Sequence, residues 1–505
     1  MQIALNIITN ILVILLSIVF NFFITPLYIH ELGLEAYGYI GVITNFISFL
    51  SVITTVLNSM VGRFYSIYIN REKRLIANSY ISTAFYVGVG LDVLILPIIL
   101  FITFNLENFI SIAPAYLNDV KIAFLLTAIA FLMTVISLVN MTGAYALNRL
   151  DINNNIRLVM IMIRFAVIIG LFHLFKAKIY FLGISLIVEN LFCLLATYIT
   201  FKKLVPDLKY NIRQFSKDKM GELLGSGFFN SIVLLGDLLM SQILMIVANH
   251  TISAKQVGVL GSIVVIINGV KSIAAAISSA FSPETLRLYA ENRIDELIEN
   301  TMTALAIIGT IVGWIISIFC IMDTNFFYLW IGNDFSQYHV AIIAFSIPMI
   351  SILSTAQFHV VLQALNKLIA YSLVTIICGI LSIFAMHFFG WYCDLGMLGL
   401  IIGCNLMAFV QHVIVLPSFV HRYLANSVWR MYRNLSLPQI YGIAFYLIFR
   451  HINYFFPEKS LFTFISEGAI LSIIFWGIIW VLSPAKYKRI VYSLLMKFLN
   501  RIRNI

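Results

Sequence analysis

Apolar stretches of about 20 residues recur from one end of this chain to the other, each long enough to cross a bilayer as a helix. Of its 505 residues, 61% are hydrophobic and only 11% are charged, which is more apolar surface than soluble cores of ordinary size bury. The longest polar gap is roughly 20 residues, too short for a soluble domain. The chain is therefore predicted to be an all-α integral membrane protein.

Hydropathy in a window of about 19 residues, cut at charges, Asn and Pro/Gly clusters, predicts about 14 transmembrane helices. The predicted spans are 5–29, 37–62, 78–104, 121–147, 156–175, 179–200, 225–249, 257–281, 297–321, 337–365, 369–389, 393–420, 437–455 and 461–482. An even number of spans places both termini on the same side of the membrane.

The distribution of Lys and Arg predicts which side that is. The gaps after the even-numbered helices, together with the tail, hold 24 of these residues, whereas the opposite gaps hold six. By the positive-inside rule, both termini are predicted to be cytoplasmic in a multi-pass protein of the inner membrane. This topology accounts for the net charge of +10 without a nucleic-acid partner.

The segment PLYIHELGLEAYG at 26–38 has a counterpart about 220 residues later, in HTISAKQVG at 250–258. At that offset Gly38 aligns with Gly258, and Gly41 aligns with Gly261. An even number of helices per half predicts parallel repeats related by an axis along the membrane normal. The predicted organisation is an N-terminal six-helix lobe (1–200), a cytoplasmic linker (201–222), a C-terminal six-helix lobe (223–420), two extra transmembrane helices (421–482) and a basic amphipathic cytoplasmic tail (483–505).

Polar side chains line one face of predicted helix 2, because their spacing alternates between four and three residues. These are Thr44, Ser48, Ser51, Thr55 and Asn58, with Arg63 following. The equivalent face of predicted helix 8 carries Asn268, Lys271 and Ser278. A polar stripe in a spanning helix faces protein or water rather than lipid, so these residues are candidates to line a substrate cavity, with helix packing as the alternative.

Charges at membrane depth are costly and each needs an explanation. The intramembrane candidates, besides Lys271, are Asp92, Arg164, Glu189 and Asp237. Similar depths predict that Asp237 can pair with Lys271, and that Arg164 can pair with Glu189; structural pairing and a functional role both remain open. No catalytic residue is predicted, and the five cysteines have no metal-ligand spacing, so neither a metal site nor an enzyme is expected.

The stretch PLYIHELGLEAYGYIGV, followed in the second half by Asp237 and a Val257-Gly258 corner, resembles the polysaccharide-exporter branch of the multidrug/oligosaccharidyl-lipid/polysaccharide (MOP) superfamily, the O-antigen flippases (Wzx-like proteins). The second corner departs from the usual pattern of that branch, reading Gly258-Val259-Leu260-Gly261. The resemblance implies two six-helix lobes around a V-shaped cavity. It also implies alternating access, in which an undecaprenyl-pyrophosphate-linked oligosaccharide moves from the cytoplasmic to the outer leaflet.

Three functions stay open at this stage. The resemblance favours a flippase whose partners are the lipid-linked oligosaccharide, membrane lipid and other polysaccharide-assembly proteins. The alternatives are a cation-coupled multidrug exporter of the same superfamily and an enzymatic or non-catalytic membrane component of cell-surface assembly. No cofactor is expected, and coupling to H⁺ or Na⁺ is left open.

Overall fold

The computed structural model describes residues 2–70, 73–206, 210–332, 335–365, 367–424, 428–451 and 460–482. Within these ranges the chain is almost entirely helical and contains no β-strand. The described residues form α1 (Gln2–Leu32), α2 (Leu34–Ser48), α3 (Leu50–Asn70), α4 (Arg74–Phe104), α5 (Leu117–Ala146), α6 (Leu150–Leu174), α7 (Phe181–Leu204), α8 (Lys217–Ser241), α9 (Ile243–Thr251), α10 (Ala254–Ala290), α11 (Ile294–Ile331), α12 (His339–Ser354), α13 (Ala356–Ala364), α14 (Leu368–His387), α15 (Gly396–Phe409), α16 (Leu416–Leu424), α17 (Val428–Phe449) and α18 (Leu461–Leu482).

The all-helical membrane fold predicted from the sequence is confirmed, but the count of 14 spans is not. Twelve helical segments of the described chain are long and apolar enough to cross a membrane, and a thirteenth is added if the bent α8 counts as one span. The helix at the position of predicted span 13 is α17, which begins at Val428 and includes Arg430 and Arg433. It is not among the twelve. The predicted amphipathic tail, 483–505, lies outside the described residues.

Several predicted spans are broken helices. The polar stripe of predicted helix 2 is interrupted at Phe49, between α2 and α3. On either side of this break, Ser48 Oγ donates to Thr44 O at 2.8 Å and Ser51 Oγ donates to Ser48 O at 2.6 Å. Side-chain hydroxyls that bond to the preceding turn commonly bend helices. Despite this one-residue interruption, Leu34–Ile69 is a single segment long and apolar enough to cross a membrane.

The two repeated corners fold by different local means. Gly33, between α1 and α2, has φ +86°, a left-handed conformation that glycine adopts without strain. The counterpart before α10 uses Ser253, whose side chain and that of Gln256 cap each other's backbone N–H groups. We call the end of the bundle with these two corners the corner face, and the end with residues 201–206 and 210–216 the linker face.

A proline in α1 frees a backbone acceptor that another helix uses. Pro26 has no N–H to donate to the carbonyl of Phe22, four residues earlier. The indole N–H of Trp330, at the end of α11, donates to Phe22 O at 2.7 Å, and the two rings stack with centroids 5.2 Å apart. This contact joins α1 to the second half of the chain near the corner face.

The charge distribution predicts that the corner face is external. Cys393, an exposed cysteine that follows α14 at this face, should then react with an impermeant maleimide in intact cells. In a Cys393→Ser background, Glu35→Cys should restore labelling, whereas Lys73→Cys and Lys217→Cys at the linker face should react only after permeabilisation. Labelling of Lys217→Cys in sealed cells would reverse the predicted topology.

Candidate functional site

At the corner face, the two halves of the chain touch at a pair of glycines. A Cβ atom built on Gly258 would lie 1.9 Å from Leu34 O, and one built on Gly38 would lie 2.6 Å from Ala254 O. Only glycine lets the starts of α2 and α10 approach this closely. Gly38 and Gly258 are also the residues that the 220-residue offset aligns, so the axis predicted from the repeat would pass beside this contact.

Towards the linker face, the helices enclose a cavity of about 1290 Å³, which we call the linker-side cavity. Its walls come from α1, α3, α5, α6 and the second half of α10. The lining residues are Asn6, Asn10, Ile11, Ile14, Gly62, Arg63, Leu138, Met141, Thr142, Tyr145, Asn148, Leu150, Asn153, Asn154, Arg157, Ala276, Ile277, Ser279, Ala280 and Pro283.

Asparagines and two arginines give the linker-side cavity its polar character. Arg63 and Arg157 are both exposed, and no Asp or Glu is among the described residues that line the cavity. Asn6 and Asn154 are held in place: Asn6 Nδ2 donates to Asn148 O at 3.1 Å, and Asn154 Nδ2 donates to Thr9 Oγ1 at 3.1 Å. The cavity therefore offers positive charge together with a fixed carboxamide framework.

Closer to the corner face, the two halves enclose a second polar space of about 230 Å³, the central cavity. Arg164 of α6 is the charged residue in its described lining, which otherwise combines hydroxyl, amide and apolar groups. The lining residues are Asn21, Ile24, Thr25, Tyr28, Tyr37, Ile40, Gly41, Thr44, Asn45, Ser48, Arg164, Leu182, Gln242, Met245, Gly261, Val264, Val265 and Asn268.

An apolar groove of about 620 Å³ adjoins the central cavity between α1, α10, α11 and α18. Asn21, Val265 and Asn268 line both spaces, so the polar cavity and the groove share a wall. The residues of the groove are Ser17, Ile18, Asn21, Phe22, Val265, Ile266, Asn268, Gly269, Val270, Ser272, Ile273, Trp314, Ile315, Ile318, Phe319, Met322, Phe326, Phe464, Ile465, Gly468 and Ser472. This arrangement is suited to an amphiphile whose polar and apolar parts are held in separate spaces.

Comparison with known proteins gives one full-length sequence relative and several structures. The chain is 23% identical over 489 residues to the uncharacterized membrane protein EpsK of Bacillus subtilis (strain 168), covering 97% of each chain. No protein-family model matches. A multidrug resistance MATE family transporter of the MOP superfamily, in its inward-facing conformation, aligns with a TM-score of 0.61 and 17% identity over 81% of this chain and 94% of that one.

The outward-facing conformation of a multidrug resistance MATE family transporter also aligns with a TM-score of 0.61, at 14% identity, over 84% of this chain and 95% of that one. The chain has the MATE transporter fold. Because both conformations align equally well overall, the overall likeness does not assign the chain to either. The glycine contact at the corner face and the large cavity at the linker face indicate which end of this MATE fold is closed.

Four of the residues predicted to line a cavity do line one. Thr44, Ser48 and Asn268 line the central cavity, and Arg63 lines the linker-side cavity. Ser51 and Thr55, beyond the break at Phe49, line none of the three spaces described above. Ser278 is buried and donates to Gln357 Oε1 at 2.9 Å. The side chain of Asn58 lies outside the described residues.

Several of the charged residues predicted to lie at membrane depth do not line a cavity. Lys271 is exposed on α10 but lines none of the three spaces. It acts electrostatically on Asp237, although the described residues show no ion pair of 4.0 Å or less between the two. The imidazoles of His359 and His412, in the second half, also lie within electrostatic range of Lys271. Asp92 Oδ1, on α4, is buried without a hydrogen-bond partner among the described residues.

Sequence reasoning treated Arg157 only as part of the charge bias and did not place it in a cavity. Its spacing from Arg164, seven residues on one helix, is the signal that could have identified it, because such residues share a helix face. The run Asn153-Asn154-Asn155 just before it was a second signal. Gln242 and Asn21 also line the central cavity. Their positions depend on how whole helices pack, and no sequence pattern marks them.

Proposed function

We propose that this protein is a flippase for an undecaprenyl-pyrophosphate-linked oligosaccharide and that it works by alternating access. The observation that carries the proposal is the wall shared by the apolar groove and the central cavity, at Asn21, Val265 and Asn268. A polyprenyl chain fits the chemistry of the groove, whereas its phosphates and sugars fit the polar cavities. A flippase must accommodate both parts while the head group crosses.

The polar lining of the linker-side cavity supports the same proposal. Pyrophosphate is an anion that guanidinium groups bind through charge-assisted, often bidentate hydrogen bonds. Arg63 and Arg157 offer such groups where the described lining has no carboxylate. Sugar hydroxyls pair with side-chain amides, which Asn10 and Asn153 provide beside the arginines. The volume of about 1290 Å³ suits an oligosaccharide head group.

In this proposal the closed corner face is external and the linker-side cavity opens to the cytoplasm of an inner-membrane protein. Substrate enters between α1 and α10, and the lobes then rock about the repeat axis to expose it on the other side. Membrane lipid and other polysaccharide-assembly proteins are the expected partners.

Multidrug export is the second candidate, because the MATE structures that this chain resembles include multidrug resistance transporters. A hydrophobic drug would also fit the apolar groove. A cationic drug would be repelled by the two arginines of the linker-side cavity, whose described lining includes no carboxylate to attract it.

The two functions can be separated in proteoliposomes. The purified protein should move an undecaprenyl-pyrophosphate-linked disaccharide between leaflets, measured by its accessibility to an impermeant lectin, without accumulating ethidium. Gly269→Leu places a side chain in the groove beside Ile18 and should slow the lipid at least about tenfold, the equivalent of 1.4 kcal/mol. Gly90→Leu, where no atom lies within 4 Å of a built Cβ, is the matched control.

Ethidium transport without lipid movement would support the drug exporter and refute the flippase. Equal lipid rates in Gly269→Leu and Gly90→Leu would show that the groove does not hold the lipid chain. Movement of neither compound would exclude both transport functions for these substrates and favour an assembly component.

A further inference from the structure

Two arginines on α6 could each bind the anionic part of the substrate, one in each of the two polar cavities. Arg157 lines the linker-side cavity and Arg164 lines the central cavity. Seven residues separate them, so they share a helix face and lie about 10 Å apart along the helix axis. The second arginine therefore lies about two turns nearer to the closed corner face.

Arg164 is neutralised but not fully hydrogen-bonded. Its Nε lies 3.9 Å from Glu189 Oε2 on α7, too far for a hydrogen bond. Neither atom has a hydrogen-bond partner among the described residues, although the two side chains are only 25% and 13% exposed. The Arg164 guanidinium also lies 5.1 Å from the centre of the Phe20 ring. A guanidinium in so dry a place is usually held by a bidentate acceptor, so it has binding capacity to spare.

The opposite wall of the central cavity supplies amides from the other half of the chain. The carboxamides of Gln242 and Asn268 line the cavity and form no intramolecular hydrogen bond among the described residues. By contrast, Asn45 Nδ2 is occupied by Gly41 O at 2.7 Å. Arg164 and these two amides therefore face one space with donor groups available. Its volume, about 230 Å³ against about 1290 Å³, suits phosphate groups rather than an oligosaccharide.

We propose that Arg164, with Glu189 as its resting counter-charge, is a second binding station for the phosphate groups of the substrate, on the corner-face side of Arg157. This inference rests on the proposed function and adds a second phosphate-binding position to the transport pathway. An arriving phosphate replaces the loose contact with Glu189 by direct hydrogen bonds to Arg164, and Gln242 and Asn268 complete the site from the second half. When the phosphate leaves, Glu189 neutralises Arg164 again, so the empty site does not hold an uncompensated charge.

The test uses one reporter cysteine near each arginine, in a Cys393→Ser background of the full-length protein. A bound phosphate should protect the nearby cysteine from alkylation. Thr44→Cys reports on the central cavity and Asn10→Cys on the linker-side cavity. Protection against a small maleimide is measured with inorganic pyrophosphate and, separately, with farnesyl pyrophosphate. Equal protection by both probes assigns recognition to the phosphates alone, whereas protection only by farnesyl pyrophosphate assigns it to a lipid-borne phosphate; both results support the station.

We expect Arg164→Gln to raise the probe concentration needed to protect Thr44→Cys about tenfold or more, since hydrogen bonds to charged groups are among the strongest that a protein makes. Protection of Asn10→Cys should be unchanged. Glu189→Gln should lower the probe concentration needed to protect Thr44→Cys, because the competing carboxylate is removed. Arg287→Gln, which removes an arginine from an exposed ion-pair cluster outside these cavities, is the matched control.

The double variant Arg164→Gln/Glu189→Gln removes both charges and guards against misfolding caused by a stranded carboxylate. If it folds and retains wild-type protection of Thr44→Cys, the second station is refuted. Protection of Asn10→Cys alone in the otherwise unaltered protein refutes the station and leaves the proposed function standing. Protection of neither position by either probe refutes both.

Discussion

Replacing Gly258 by alanine is expected to force the two halves apart at the corner face and to abolish transport. The new Cβ would lie 1.9 Å from the backbone oxygen of Leu34, and a backbone atom cannot move aside as a flexible side chain can. Overpacking of this kind costs about 1–3 kcal/mol, so the melting temperature should fall. Thr44→Cys, in the central cavity, should become reactive from the corner side in a Cys393→Ser background.

Gly90→Ala is the matched control, because no atom lies within 4 Å of its built Cβ. Alanine is favoured over glycine within a helix by roughly 0.5–1 kcal/mol, so this variant should be unchanged or slightly stabilised. Wild-type stability and an unreactive Thr44→Cys in the Gly258→Ala protein would show that the glycine contact does not keep the corner face closed.

Removing both guanidinium groups of the linker-side cavity is also expected to abolish transport. Each charge-assisted hydrogen bond to pyrophosphate contributes about 1.5–3 kcal/mol. Arg157→Gln or Arg63→Gln alone should therefore lower lipid movement about tenfold or more, and the double variant should lose it. Arg157→Lys should be partly active, because it retains the charge but not the planar fork. Lipid movement is measured in proteoliposomes at matched protein amounts.

Arg213→Gln is the control for loss of one arginine at the linker face, since Arg213 is exposed and outside the three spaces described above. It should transport at the wild-type rate. An active Arg63→Gln/Arg157→Gln protein would show that the head group is recognised elsewhere, and the region around Lys271 and His412 would then be the next to test.

The contact between Gly38 and Gly258 shows how much of the structure the sequence repeat can predict. Gly38 and Gly258 are aligned by an offset of 220 residues, and each is the fifth residue of a helix that follows a corner marked in the sequence by a glycine or a capping residue. Their alignment predicted equivalent positions in two halves. That the two residues touch each other follows only from the packing of α2 against α10.

The sequence by itself determined the helical membrane fold, the approximate spans and the corners, because hydropathy, capping and glycine conformation act over a few neighbouring residues. Tertiary structure decided which polar groups share a space. A local break at Phe49 separates Thr44 and Ser48 from the rest of their predicted stripe, and the rotation of α6 places Arg157 and Arg164 along one path while Lys271 of α10 lies outside it. The azimuth of each helix is set by the sum of its contacts with neighbours distant in sequence, so no local pattern specifies it.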